Sequence, residues 1–182
     1  MTYLSIAARL VRQHEGVMHE PYDDATGKRP IALGHITIGV GRNLEARPLT
    51  DDEVDYLLAN DLAENEKQAR RWLGQGEMHT AHSYSAGDYF DLLSDNRKAA
   101  LLDLAHWGGI AKAKNMRAWL IDGILSGSEI AYEKAAREIL YKTGTNPSKG
   151  RSGWYQISPT RAQELADIIE TNRLPKGLKE EE

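Results

Sequence analysis

Apolar positions recur with the period of an α-helix over most of the chain, but the pattern changes near the N-terminus. Residues 3–14 place Leu4, Ala7 and Val11 on one face, which predicts a short amphipathic helix. Residues 22–42 instead carry glycines, prolines and the alternating segment HITIGV, which is typical of a small β-hairpin or sheet. The chain is therefore predicted to begin with a helix followed by a short β region.

A long helix is predicted after the β region. Thr50 and Glu53 have the spacing of a capping box, in which the threonine caps the helix and the glutamate reaches back to it. Helical spacing of apolar residues then continues to about Trp72. Residues 74–94 mix glycine, histidine and aromatic residues without a clean period, so they yield no prediction.

The second half of the chain is predicted to be mostly helical. Helical patterns cover residues 95–107, 114–125 and 128–141. Ser158 followed by Pro159 is a favourable start for a last helix, because serine caps helices and proline suits the first helical position.

Composition narrows the function classes. The absence of cysteine excludes disulfides, thiol nucleophiles and thiolate zinc sites. A net charge of −4 argues against nucleic-acid binding, which usually needs a basic face. Arg9 and Arg12 interrupt the first apolar stretch, so we expect neither a signal peptide nor membrane insertion. His14 and His19 are five positions apart, which is poor spacing for one helical face, and we expect no metal site.

Two carboxylates near the predicted helix-to-hairpin junction could carry chemistry. Glu15 ends the first helix, and Asp24 follows nine positions later in a turn. Glycoside hydrolysis needs such a pair, one to protonate the leaving oxygen and one to activate water or stabilise the charged sugar ring. Because the chain contains 27 acidic residues, the pair alone fits a solvated surface better than a catalytic site.

The surrounding motifs resemble those of the phage-type lysozymes of the T-even kind, glycoside hydrolase family 24. The first helix ends in Glu15-Gly16, Asp24 has the family's spacing from the glutamate, and the segment TIGVG begins at Thr37. Near the other end, the segment WYQISPTRA beginning at Trp154 is similar to a second family motif. The resemblance covers both ends of the chain in the right order and is weak in the middle.

The resemblance implies a fold class of α+β and lysozyme-like type, in a single domain over residues 1–182. In this expectation a small N-terminal lobe with an antiparallel β-hairpin or sheet spans about residues 14–60. A larger helical C-terminal lobe spans about residues 73–175 together with the helix at 3–14. A long helix joins the two lobes, and the active-site cleft lies between them.

The implied activity is that of an endolysin, which hydrolyses the β-1,4 bond between N-acetylmuramic acid and N-acetylglucosamine in bacterial peptidoglycan. Glu15 would be the general acid, Asp24 would hold the attacking water or support the transition state, and Thr37 would help to place that water. The reaction is expected to be inverting, which needs carboxyl groups roughly 6.5–9.5 Å apart, and to use no cofactor.

Two arginines occupy informative positions in this comparison. Arg161 stands where the family has an arginine that pairs with the catalytic glutamate, although a nearby cation favours the ionised form of an acid. Arg42 stands where the family often has histidine, and we expect it to pair with Asp61. Residues 28–36 lengthen the predicted hairpin, and they either contact substrate or form a longer solvent loop.

Further residues are expected at the substrate. We expect substrate binding by Asn43, His106, Met116 and Glu138. Aromatic rings could stack on sugars or pack in the core, with packing the more common role. These rings are Trp107, Trp119, Trp154 and Tyr155.

The expected partner is peptidoglycan, bound by a monomer. As the resemblance implies, the enzyme would wait in the host cytoplasm and reach the cell wall after a holin permeabilises the membrane. One alternative is a glycan-binding module or a structural virion component that keeps the fold without activity. Another is a lytic transglycosylase, which uses one acid, needs no water-holding aspartate and leaves anhydro-sugar ends.

Overall fold

The computed structural model describes residues 1–17, 19–21, 36–40, 42–75, 88–144 and 146–178, and this part of the chain is predominantly helical. Its helices and strands are α1 (Tyr3–Glu15), β1 (Thr37–Ile38), β2 (Arg42–Asn43), α2 (Asp51–Leu73), α3 (Asp88–Asp91), α4 (Asp95–Trp107), α5 (Lys114–Ser126), α6 (Glu129–Leu140), α7 (Gly153–Ile157) and α8 (Pro159–Thr171). Short 3-10 turns lie at Ile110–Lys112, Pro147–Lys149 and Lys176–Leu178.

The expected α+β fold class, with its N-terminal β lobe, is wrong for the described residues. Their strands are limited to one antiparallel pairing, in which Thr37 lies opposite Asn43 and Ile38 lies opposite Arg42. A pairing this short cannot bury a face of its own, because a stable sheet needs more strands or a covering helix. The rest of the predicted β stretch, residues 22–35 and 41, lies outside the described residues.

The helix predictions are confirmed. α2 begins at Asp51 behind a complete capping box of Thr50 and Glu53. The ends of α4, α5 and α6 lie within one residue of the predicted limits. No described helix combines the length and apolar character needed to span a membrane.

The hydrophobic core is built around α4. Every residue from 99 to 105 is buried, so this helix is covered on all sides, as expected for a central helix. α1, α2 and α8 pack against α4, and α6 packs against both α5 and α8. In this apolar run Asp103 is the charged residue, and its side chain has no exposed surface.

The close packing of α5 on α6 depends on a glycine. A Cβ atom on Gly123 would lie 2.9 Å from Cζ of Tyr132. Arg97 lies over the same ring, 3.5 Å from its centroid, and donates a 2.8 Å hydrogen bond to the carbonyl of Ile169. The Tyr132 ring therefore contacts neighbours on α4 and α5 and has little room to shift.

Candidate active site

Glu15 lies at the last position of α1, where the chain turns sharply. Gly16 takes a φ of 74°, a left-handed value that glycine adopts without strain, and its N–H donates to the carbonyl of Arg12 at 2.9 Å. The Glu15 side chain is 42% exposed. It lines a cavity of about 220 Å³ together with Asp61 of α2 and His106 of α4. The carboxyl group is thus accessible from solvent at a concave surface.

A buried arginine holds Glu15. Nη1 of Arg161, on α8, donates to Oε1 of Glu15, and Nε donates to Oδ1 of Asp103 at 2.9 Å. Arg161 is 4% exposed, and its guanidinium lies 4.6 Å from the ring centroid of Trp107. The structure thus brings together the predicted partners Arg161 and Glu15.

The ion pair continues into a buried network. Oδ2 of Asp103 lies 2.9 Å from Nδ1 of His14, and Nε2 of His14 lies 3.0 Å from Oε2 of Glu164. Burial lowers the pKa of His14, but the hydrogen bonds to Asp103 and Glu164 and the charge of Asp103 outweigh burial. The pKa of His14 is therefore raised above its ordinary value of 6.5, which favours the imidazolium.

The predicted water-binding side of the site lies mostly outside the described residues. Asp24 is one of those undescribed residues. The backbone of Thr37 pairs with Asn43, but its hydroxyl is also outside the described part. Oδ1 of Asn43 accepts from the backbone N–H groups of Glu45 at 2.9 Å and Ala46 at 3.1 Å, so it closes a local turn.

The other residues expected at substrate take different positions. His106 shares the cavity with Glu15, and its Nδ1 lies 3.3 Å from Nδ2 of Asn65. Met116 is fully buried in the core, so it has no surface through which to contact a ligand in this arrangement. Oε1 of Glu138 accepts from the N–H of Gly144 at 3.0 Å, and Glu138 lines a different cavity.

This second cavity has a volume of about 650 Å³ and lies at the ends of α4 and α6. It combines indole rings with an excess of lysines over carboxylates, a setting that suits an anionic ligand with apolar parts. Nε1 of Trp154 donates to the carbonyl of Gly108 at 2.8 Å, which fixes one wall. The rings and charged residues that line the cavity are Trp107, Tyr141, Trp154, Lys112, Lys114, Lys142 and Glu138.

The expected Arg42–Asp61 pair is wrong. Both terminal nitrogens of Arg42 donate to the carboxylate of Glu53 instead, with Nη2 2.9 Å from Oε2. Nη2 also donates to the carbonyl of Pro48 at 2.6 Å. Arg42 therefore binds the start of α2, whereas Asp61 lines the cavity beside Glu15.

Sequence reasoning missed Asp103 and His14 as members of this network. Asp103 left a usable signal, since it is the charge within the otherwise apolar run AALLDLA. A charge at such a position requires a buried partner. The sequence around His14 raises only the question of metal binding, because its neighbours Asp103 and Glu164 are too distant in sequence to reveal the contact.

Comparison with known proteins gives a distant similarity. No protein-family model matches the chain. The chain is 27% identical over 188 residues to the pre-baseplate central spike protein Gp5 of Enterobacteria phage T4. The alignment covers 92% of this chain and 28% of that protein, so the chain spans less than a third of its relative's length. The similarity links the chain to part of a bacteriophage protein.

Proposed function

We propose that the chain is a lysozyme-type glycoside hydrolase with Glu15 as its general acid. Its substrate is the β-1,4 bond between N-acetylmuramic acid and N-acetylglucosamine in bacterial peptidoglycan. The setting of Glu15 carries the proposal, because its carboxyl is exposed in a concave surface yet bound by a buried arginine. A general acid needs both properties, access to the leaving oxygen and a fixed orientation.

In the proposed reaction, Glu15 gives its proton to the glycosidic oxygen as the bond to the sugar carbon breaks. Water attacks that carbon from the opposite face, and a second carboxylate takes the proton that the water loses. We assign this second role to Asp24, with Thr37 orienting the water, from the sequence motifs alone. No cofactor is needed, because proton transfer and positioned water complete the balance.

The second cavity supports the same substrate. Peptidoglycan carries free carboxylates on its peptide stems, and three lysines line this cavity beside two indole rings. As an endolysin, the protein would act as a monomer and would reach the wall after a holin opens the host membrane.

The test compares the unaltered protein with Glu15→Gln and a matched control, Glu133→Gln. Glu133 is 48% exposed, close to the exposure of Glu15, and pairs with Arg137 on the surface of α6. Purified sacculi and permeabilised Gram-negative cells serve as substrates, and released reducing ends are counted. We expect Glu15→Gln to be slower by about 10²–10⁴-fold, as for removal of a general acid, with the control unchanged.

Two outcomes of this experiment would contradict the proposed hydrolase. Equal rates for Glu15→Gln and the unaltered protein, at equal Tm, would remove Glu15 from the reaction. Anhydro-sugar products instead of reducing ends would identify a transglycosylase.

A second candidate is a component of the phage particle. The similarity to a baseplate spike protein favours it. If the unaltered protein and Glu15→Gln both bind to sacculi and neither releases sugar, the result would support this non-enzymatic candidate.

A further inference from the structure

The network behind Glu15 contains a carboxylate that lies between an arginine and a histidine. Asp103 has no exposed surface, and each of its oxygens contacts a different basic side chain. Oδ1 accepts from Nε of Arg161, and Oδ2 lies 2.9 Å from Nδ1 of His14. An ionised carboxylate at this depth is tolerated only when such partners compensate its charge.

We propose that Asp103 is a positioning residue for Glu15, acting through Arg161, and that His14, which contacts the other oxygen of Asp103, acts on Glu15 through the same network. The proposal rests on the proposed role of Glu15 as general acid. It adds two residues to the site, His14 on α1 and Asp103 on α4. The guanidinium of Arg161 transmits their effect to Glu15.

The geometry of the guanidinium supports the positioning. Its donors lie in one rigid plane, so binding at Nε fixes where Nη1 points. Asp103 holds Arg161 at Nε, and Nη1 of the same group meets Glu15. The ring of Trp107 lies beside the plane and limits its tilt. The carboxylate of Asp103 thus sets the direction from which Arg161 meets Glu15.

The charges explain why a cation can stand beside a general acid. Arg161 is shared between two carboxylates, so its field on Glu15 is partly cancelled by Asp103. The charged groups that face His14 are Asp103 from α4 and Arg161 and Glu164 from α8, and Glu15 follows it in sequence on α1. With His14 protonated, the network contains two cations and three carboxylates.

Two substitutions are expected to act in opposite directions. Asp103→Asn removes the anion that shares Arg161, so the full cation favours the ionised form of Glu15 and its carboxyl titrates at lower pH. His14→Asn keeps an amide donor near Asp103 but removes a cation, so the Glu15 carboxyl titrates at higher pH. Loss of folding would not produce opposite shifts, so the pair of signs tests the electrostatic link.

The measurement is the ¹³C NMR titration of the Glu15 side-chain carboxyl in each full-length variant, with Asp122→Asn as control. Asp122 is exposed on α5 and outside the network. We expect shifts of about one pH unit in opposite directions, the usual size for a charge change at this range, and no shift in the control. We also expect the high-pH side of the pH–rate profile of hydrolysis to move in the same direction in each variant, because a general acid must be protonated to act.

Shifts of the same sign, or of less than about 0.2 unit in both variants, would overturn the proposal. If Asp103→Asn does not fold, the test uses His14→Asn alone. An unchanged or lowered midpoint of the Glu15 titration in that variant would then overturn the proposal. The titration needs no hydrolysis, so it separates the two claims. Opposite shifts in a protein that cleaves no peptidoglycan would refute the proposed function while the link between Asp103 and Glu15 stands.

Discussion

Arg42 binds the carboxylate of Glu53, the residue that closes the capping box of α2. Oε2 of Glu53 accepts from the N–H of Thr50 at 2.9 Å, and Oγ1 of Thr50 accepts from the N–H of Glu53 at 3.3 Å. Because Arg42 lies in β2, one ion pair connects the strand pairing to the start of the long helix.

This ion pair predicts a pH-dependent contribution to stability. The hydrogen bond from Arg42 is the main cause that lowers the pKa of Glu53 from 4.5 to about 2. A lowered folded-state pKa stabilises the protein above the unfolded value, and this stability is lost as the pH falls from 4.5 through 2. We expect Arg42→Ala to lower Tm at pH 7 and to weaken the fall of Tm between these pH values.

Thr50→Ala serves as the comparison, because it removes the cap while leaving Arg42 in place. It is expected to cost about 1 kcal/mol, the usual value for an N-cap threonine. Thermal unfolding followed by circular dichroism measures both variants. If Tm falls by the same amount at low pH in Arg42→Ala and in the unaltered protein, this result would contradict the role of the Arg42–Glu53 pair.

His14 predicts the opposite pH dependence. Its pKa is raised in the folded protein, so the stability it contributes is complete below 6.5 and is lost as the pH rises through the folded value. Each unit of difference between the folded and unfolded pKa corresponds to about 1.4 kcal/mol. We expect Tm to decline above pH 6.5, and this decline to be smaller in His14→Asn.

His19→Asn is the matched control, since His19 also contacts a carboxylate, Asp51, but is 41% exposed. It should retain the decline of the unaltered protein when Tm is recorded from pH 5 to 9. A His14→Asn curve that parallels the control would show that His14 does not hold its proton in the folded state.

Gly123 predicts a packing defect. Gly123→Ala would place a Cβ 2.9 Å from the Tyr132 ring, which Arg97 also covers. Overpacking costs about 1–3 kcal/mol, and the better helix propensity of alanine returns up to about 1 kcal/mol. We therefore expect a net loss of roughly 1 kcal/mol in the free energy of unfolding, measured in urea.

Gly177→Ala is the control for this substitution, because its Cβ would meet nothing within 4 Å. Its free energy of unfolding should change by less than about 0.5 kcal/mol. Gly123→Ala as stable as the control would mean that α5 and α6 can separate without loss.

The helices could be predicted from sequence because their signals are local. The capping box of Thr50 and Glu53 marks the start of α2, and the apolar period marks its length. The β lobe was predicted from glycines and an alternating segment, but alternation over a few residues does not reveal how far strands pair. In the described residues that pairing ends after two residues on each strand.

The residue pairs of the candidate site could also be predicted only in part. The Arg161–Glu15 contact was inferred from a motif, because family resemblance carries long-range information that a single sequence otherwise lacks. The Arg42–Asp61 pair was inferred by the same reasoning and was wrong, because a closer carboxylate, Glu53, lies at the helix start. Among several acids on one helix, sequence alone does not rank the distances.

Trp107 lies between the larger cavity and the ion pair of Arg161 with Glu15. Its indole lies against the guanidinium of Arg161 and also lines the larger cavity. A ligand in the larger cavity would therefore border the same indole that packs against the cation bound to Glu15.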